Sequence, residues 1–175
     1  MGRIGALIGS TVFFFIAPGT VAGFGPWLIT GWETDIAAGV SPLHIAGLAL
    51  VLVGVAGLID AFARFALDGL GTPAPIAAPK NLVTTGAYRF VRNPMYVWVL
   101  AAILGQALFF KDAALLFYAA GLWLAFHLFV VLVEEPALRR GFGADYERYC
   151  ANVPRWLPRL RPWRSDKTAG EPRSV

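Results

Sequence analysis

Four apolar stretches with no charge at their centres, Ile4 to Phe24, Leu43 to about Phe65, Met95 to Phe110 and Ala113 to Val133, decide most of what this chain can become. In a bilayer each satisfies its own backbone groups as a helix, whereas in water they would expose more apolar surface than a small core could cover. Composition agrees: 57% of the 175 residues are hydrophobic, 15% are charged, and mean hydropathy is +0.61. The expectation is an all-α polytopic bundle of about four transmembrane helices, a single domain over residues 1–163 followed by a polar tail, 164–175, expected to be disordered.

Length and flanking charge arrange the stretches. The first contains Pro18-Gly19, which predicts a kink that neighbouring helices must satisfy. Arg3 is a meagre basic start for a signal peptide and the apolar run is longer than one needs, so a retained helix is expected. The third stretch is at the low edge of what spans a hydrocarbon core, and little more than Lys111-Asp112 separates it from the fourth, which predicts a tight antiparallel hairpin. The loop from Gly25 to Ser41 holds Glu33 and Asp35 but no Lys or Arg, while Arg64, Lys80, Arg89, Arg92, Arg139 and Arg140 flank the other ends. By the positive-inside rule both termini face the cytoplasm, in a bacterial inner membrane. Asp60 and Arg64 read as an intrahelical pair with a structural role, and Asp68 to Pro79 reads as a Gly- and Pro-rich loop.

The net charge of +4 does not point to nucleic acid, because the basic residues cluster beside apolar segments and topology accounts for them. Cys150 is the only cysteine, which rules out an internal disulfide and leaves a cysteine-based zinc site short of ligands.

Two polar blocks interrupt the lipid-facing sequence, Lys80 to Tyr96 and Glu134 to Pro158, and both fall on the same side of the membrane. A hairpin of the third and fourth helices places Arg92-Asn93-Pro94-Met95-Tyr96 beside Glu134-Glu135. The Asn93-Pro94 helix start offers free N–H groups that could hold a carboxylate or phosphate, with Arg89 or Arg92 adding charge-assisted bonds. As an alternative, Arg89, Arg92, Tyr88 and Tyr96 serve only as membrane-interface anchors. Glu134-Glu135 closes the fourth helix, where two carboxylates oppose the macrodipole and call for a cationic partner, either a ligand or one of the nearby arginines. His127, about two turns earlier, faces the bundle interior as a proton-transfer candidate or as a hydrogen-bonded packing residue.

At these blocks the chain resembles the isoprenylcysteine carboxyl methyltransferase and phospholipid methyltransferase superfamily. The likeness runs from Lys80 to Leu160: Leu82-Val83-Thr84-Thr85-Gly86-Ala87-Tyr88 with Arg92-Asn93-Pro94-Met95-Tyr96, then Glu134-Glu135 with Leu138, Phe142-Gly143, Asp145-Tyr146, Tyr149, Val153-Pro154-Arg155 and Leu157-Pro158. The resemblance implies a membrane enzyme that moves a methyl group from S-adenosylmethionine to a lipophilic acceptor, such as an isoprenoid-linked carboxylate or a lipid amine. It implies cofactor contacts at Lys80, Asn81, Leu82, Val83, Tyr88, Asn93, Pro94, Met95, Tyr96 and Glu134, with Glu134, Arg92 and His127 as candidate catalytic residues. Neither a metal nor a nucleophilic side chain is required, because methyl transfer is an in-line displacement on an activated carbon that chiefly needs alignment and exclusion of water. Two departures stand out: Phe129-Val130-Val131-Leu132-Val133 lies where the eukaryotic carboxyl methyltransferases carry an Arg that helps hold the substrate carboxylate, and Asn93 stands where many members have His. They bear on the acceptor more than on the donor site.

Two competing readings remain at this stage: a nicotinamide-dependent reductase of the sterol-reductase type, and a non-catalytic membrane scaffold. The expected partners are bilayer lipid and a lipophilic small molecule, with no nucleic acid.

Overall fold

The computed structural model describes residues 3–69 and 81–164. Lys80, most of the expected Gly- and Pro-rich loop and nearly all of the polar tail lie outside the described residues. Within them the chain is all-helical. Helix α1 (Arg3–Gly19) runs through a π-helical turn (Thr20–Phe24) into α2 (Gly25–Thr30). Helix α3 (Pro42–Gly69) is followed by α4 (Pro94–Phe110). Helix α5 (Ala114–Phe129) runs through a second π-turn (Val130–Glu134) into α6 (Glu135–Phe142), and α7 (Ala144–Asn152) is the last helix.

Among the described residues, three continuous helices are long and apolar enough to cross a membrane: Leu7–Thr30, Pro42–Gly69 and Ala114–Phe142. Helix α4 has 17 residues and, at about 1.5 Å per residue, reaches roughly 25 Å, short of a hydrocarbon core of about 30 Å. The expected four-helix bundle is therefore three full-length helices and a shorter fourth.

Helix α4 holds its place through close packing on α3. A Cβ added at Gly47 would lie 2.5 Å from the Phe109 backbone N, one at Gly54 2.8 Å from Ala102 N, and one at Gly105 2.7 Å from Val51 N. Advance along α3 meets retreat along α4, so the two helices are antiparallel and touch backbone to backbone. Such contact suits a bilayer, where apolar side chains gain nothing by leaving lipid and dispersion between close surfaces must do the work. Leu58, Phe62, Val99, Ile103 and Ala119 form the buried centre, and α1 joins it through Phe13 and Phe14, the latter edge-on to Phe62 at 5.1 Å.

Each π-turn ends two residues before a proline, Pro26 and Pro136. In the first, Gly25 N–H bonds to Thr20 O, five residues back, so Val21 O is skipped, and Pro26 has no N–H to give Ala22 O. Both carbonyls are served from other helices: Tyr118 Oη donates to Val21 O and Gln106 Nε2 to Ala22 O, each at 2.8 Å. The break expected at Pro18-Gly19 thus falls just after it, and neighbouring helices satisfy it as expected.

The second π-turn corrects one expectation. Glu134-Glu135 does not close the fourth helix, because the helix continues to Phe142. Glu135 N–H bonds to Val130 O, and Pro136 is tolerated directly after that widened turn. The two carboxylates sit in mid-helix, so the macrodipole argument does not apply to them.

The α4–α5 connection is the expected tight hairpin. Lys111 takes a left-handed conformation (φ 53°) and Asp112 Oδ1 accepts from Ala114 N at 2.8 Å. Nearby, Asp35 accepts from Lys111 Nζ at 2.9 Å and lies 2.7 Å from Nε2 of the buried His44, tying the α2–α3 loop to the hairpin. The Lys111 ammonium, then His44, holds the Asp35 carboxyl below the usual carboxylate range.

Candidate functional site

At the opposite end of the bundle the two polar blocks meet. A short 3-10 turn, Gly86–Arg89, follows the described start of the first block; Gly86 has a left-handed φ of 53°, which favours glycine, and a Cβ there would displace the Arg64 guanidinium. Arg64 itself is bound to Asp60, Nε to Oδ2 at 2.9 Å, the structural intrahelical pair expected from the sequence.

The C-terminal segment wraps this block with backbone bonds. Arg92 N donates to Pro154 O at 2.9 Å, Arg159 N to Phe90 O at 3.0 Å and Trp163 N to Arg89 O at 2.9 Å. Side chains add to the clasp: Asn93 Nδ2 donates to Arg155 O at 3.2 Å, Arg89 Nε to Trp163 O at 2.8 Å, and the buried Tyr149 Oη to Tyr88 O at 2.7 Å. Burial pushes the Tyr149 phenol up, so it remains a donor.

The two adjacent glutamates then take different partners. Glu134 Oε1 accepts from Tyr96 Oη at 2.6 Å. Glu135, whose side chain is 7% exposed, takes Arg155 in a two-point contact, Nε to Oε1 at 2.6 Å and Nη2 to Oε2 at 3.0 Å, and Arg92 Nη1 to Oε1 at 3.1 Å. Arg92 Nη1 also donates to Cys150 Sγ at 2.8 Å, whereas its buried Nε has no partner. Two guanidiniums therefore share one carboxylate, with one buried N–H unspent.

An aromatic wall adjoins the Tyr96–Glu134 pair. Tyr96 packs on Phe126 with ring centroids 4.5 Å apart and lies 6.3 Å from Trp156, which in turn donates from Nε1 to His127 Nδ1 at 3.1 Å. Trp123 stacks on His127 at 5.5 Å.

The structure thus brings Arg92, Asn93, Tyr96, His127 and Glu134 into one neighbourhood. The other residues singled out by resemblance have a different setting. Val83 and Tyr88 are 5% and 7% exposed and pack on Ala61 with Met95 beside them. Pro94 is buried at the start of α4, and Leu82 packs against Tyr146, Tyr149 and Val153. Asn81 Nδ2 reaches back to Asp68 O at 3.1 Å. Sequence reasoning missed the roles of Arg155, Trp156, Trp123 and Phe126; Arg155 was within the Val153-Pro154-Arg155 motif, and the need of Glu135 for a cation was the signal that could have singled it out.

Comparison with known proteins gives the family. Residues 42–145 match the phospholipid methyltransferase family, more than half of the chain, from the first residue of α3 to the second of α7. The nickel-cobalt-cadmium resistance protein NccN of Alcaligenes xylosoxydans xylosoxydans is 37% identical over 91 residues, 50% of this chain and 41% of that protein. The chain thus covers about two-fifths of the length of this relative. No solved structure matches. Three membrane-length helices among the described residues, a fourth packed among them and a family match that runs from α3 through the Glu134-Glu135 turn lead to one conclusion: the chain is an integral membrane protein and belongs to the phospholipid methyltransferase family, within the isoprenylcysteine/phospholipid methyltransferase superfamily.

Proposed function

We propose that the protein transfers a methyl group from S-adenosylmethionine to a lipophilic acceptor drawn from the bilayer, an isoprenoid-linked carboxylate, a lipid amine or a similar small amphiphile. The observation that carries this reading is the pairing of Tyr96 with Glu134 beside a cluster in which Arg92 and Arg155 share Glu135. When bound, the cofactor would supply a methyl carbon already activated on a sulfonium.

The donor set fits such a molecule. The unspent buried N–H of Arg92 and the excess of guanidinium over carboxylate suit its carboxylate end. The second oxygen of Glu134, not taken by Tyr96, suits an ammonium or ribose hydroxyl. The faces of Tyr96, Phe126 and Trp156 suit a flat base or a sulfonium. These residues bind and orient, the aromatic wall keeps water from the reacting carbon, and Tyr96 steadies the Glu134 carboxylate. Reaction then depends on alignment, which a bundle clamped by the C-terminal segment provides. Access for the acceptor is supported by the lipid-facing side of α5, where Leu124 and Leu128 are exposed.

The gathering of Arg64, Arg89, Arg92, Arg139 and Arg140 at the site end, against Glu33, Asp35 and Lys111 at the other, supports a cytoplasmic site with both termini on that side of a bacterial inner membrane.

Calorimetric titration of the detergent-purified protein with S-adenosylmethionine and S-adenosylhomocysteine tests the reading. Saturable binding that Glu134→Ala removes supports it. Binding of a nicotinamide cofactor instead, by a folded protein, overturns it in favour of a reductase, and binding of neither favours a scaffold.

A further inference from the structure

Trp156 holds one nitrogen of His127. An indole nitrogen can only donate, so His127 Nδ1, 3.1 Å from Trp156 Nε1, must accept with its lone pair, and the ring proton belongs on Nε2. The ring has little freedom to turn over and exchange its nitrogens: Trp123 stacks on it with planes 24° apart, and the Trp156 ring lies 6.1 Å away on the same cluster. Among the described residues Nε2 has no hydrogen-bond partner, and the side chain is only partly buried. Neither Glu134, whose Oε1 accepts from Tyr96, nor Glu135, which pairs with Arg92 and Arg155, bonds to Nε2. A free N–H on an apolar helix surface gains most from a charged oxygen, and Leu124 and Leu128 are exposed on the same helix, which favours a group carried in the bilayer.

We infer that Trp156 is a positioning residue that fixes His127 as an Nε2–H donor, and that this donor receives an oxyanion, carboxylate or phosphate, on the membrane-borne acceptor. His127 is then not the base that takes a proton from the acceptor. The assignment of the ligand rests on the methyltransferase reading; the tautomer does not.

The chain has two histidines, so 15N-histidine labelling gives a spectrum of two imidazoles. His44 serves as the reference, with Nδ1 accepting from Ser41 N at 3.0 Å. For His127 the expected result is an unprotonated Nδ1 and a protonated Nε2, with the two nitrogens averaging in Trp156→Phe. Decanoate and decyl phosphate, titrated into detergent-purified protein, should each shift the Nε2 resonance if they are the right chemistry; the tighter of the two distinguishes carboxylate from phosphate, and decylamine should leave it unmoved. Binding of the preferred anion should weaken roughly tenfold in His127→Phe and His127→Asn, the loss of one charge-assisted hydrogen bond, and survive in His127→Gln, whose amide nitrogen can stand near the Nε2 position. A protonated Nδ1 in the unmodified protein overturns the inference without any variant, as does anion binding indifferent to His127→Phe. Calorimetry with S-adenosylmethionine on the same samples separates the two failures: retained cofactor binding with the wrong tautomer sinks only this inference, while lost cofactor binding by the folded, unmodified protein sinks the methyltransferase reading.

Discussion

Replacing either of two neighbouring carboxylates by its amide should have opposite consequences. Glu135→Gln leaves the guanidiniums of Arg92 and Arg155 without a counter-charge, and the Arg92 side chain is only 12% exposed. Breaking a buried pair by removing one partner costs about 3–5 kcal/mol, chiefly because the other charge stays behind. Arg139, 3.9 Å from Glu135 and half-exposed, adds little to that figure. At about 1.4 kcal/mol per factor of ten, the folded-to-unfolded ratio should fall more than a hundredfold. Glu134→Gln still offers a carbonyl to Tyr96 Oη and should cost no more than about 1 kcal/mol, yet it should lose cofactor binding. Unfolding by added dodecyl sulfate in mixed micelles, followed by tryptophan fluorescence, measures both variants, and calorimetry measures binding. If Glu135→Gln lies within about 1 kcal/mol of the parent, or Glu134→Gln proves as unstable as Glu135→Gln, the division of labour between the two carboxylates is refuted.

Other outcomes follow from geometry elsewhere. Gly47→Ala puts a Cβ 2.5 Å from a backbone nitrogen and 2.6 Å from Gly105 O, neither of which can swing aside, so it should cost about 1–3 kcal/mol in the same unfolding assay. Gly121→Ala, with nothing within 4 Å, is the matched control and should show no loss. Gln106→Leu removes the donor that serves Ala22 O and should destabilise by about 0.6–1.7 kcal/mol, the range for hydrogen bonds between membrane helices; a neutral result would mean that Ala22 O finds another partner. Asp35 has its carboxyl lowered from 3.8 by Lys111 and His44, so its contribution is present above about pH 3.8 and lost as pH falls through the lower folded value. Asp35→Asn should therefore flatten the acid limb of the stability profile and leave the neutral region's pH dependence unchanged.

Hydropathy made the bundle legible because a helix in lipid must announce itself residue by residue: the apolar stretches, the short α4 and the Lys111-Asp112 hairpin all carried that signal. The meeting of Tyr96 with Glu134 followed from the hairpin, since its two ends must lie side by side. The π-turns were not legible, because widening a helix by one residue leaves hydropathy untouched; hence the mistaken end of the fourth helix at Glu134-Glu135. Arg155 and Trp156 come from beyond Gly143, where the helix breaks at a positive φ, and no periodicity links them to Glu135 or His127. Tyr88 and Val83 show the converse difficulty: a motif residue held for packing looks the same in sequence as one held for a ligand.

The π-turn at Val130–Glu134 also makes the site sensitive to residue count. Each residue of an α-helix advances the facing direction by about 100°, so one surplus residue turns everything beyond it by that angle. Upstream, Leu124 and Leu128 look out to lipid; downstream, Glu135 looks in toward Arg92 and Arg155. Rewinding the same residues as an unbroken α-helix would leave hydropathy and composition unchanged while rotating both carboxylates away from their partners. In this helix the winding of the chain between His127 and Glu135 is as much a determinant of the site as the side chains themselves.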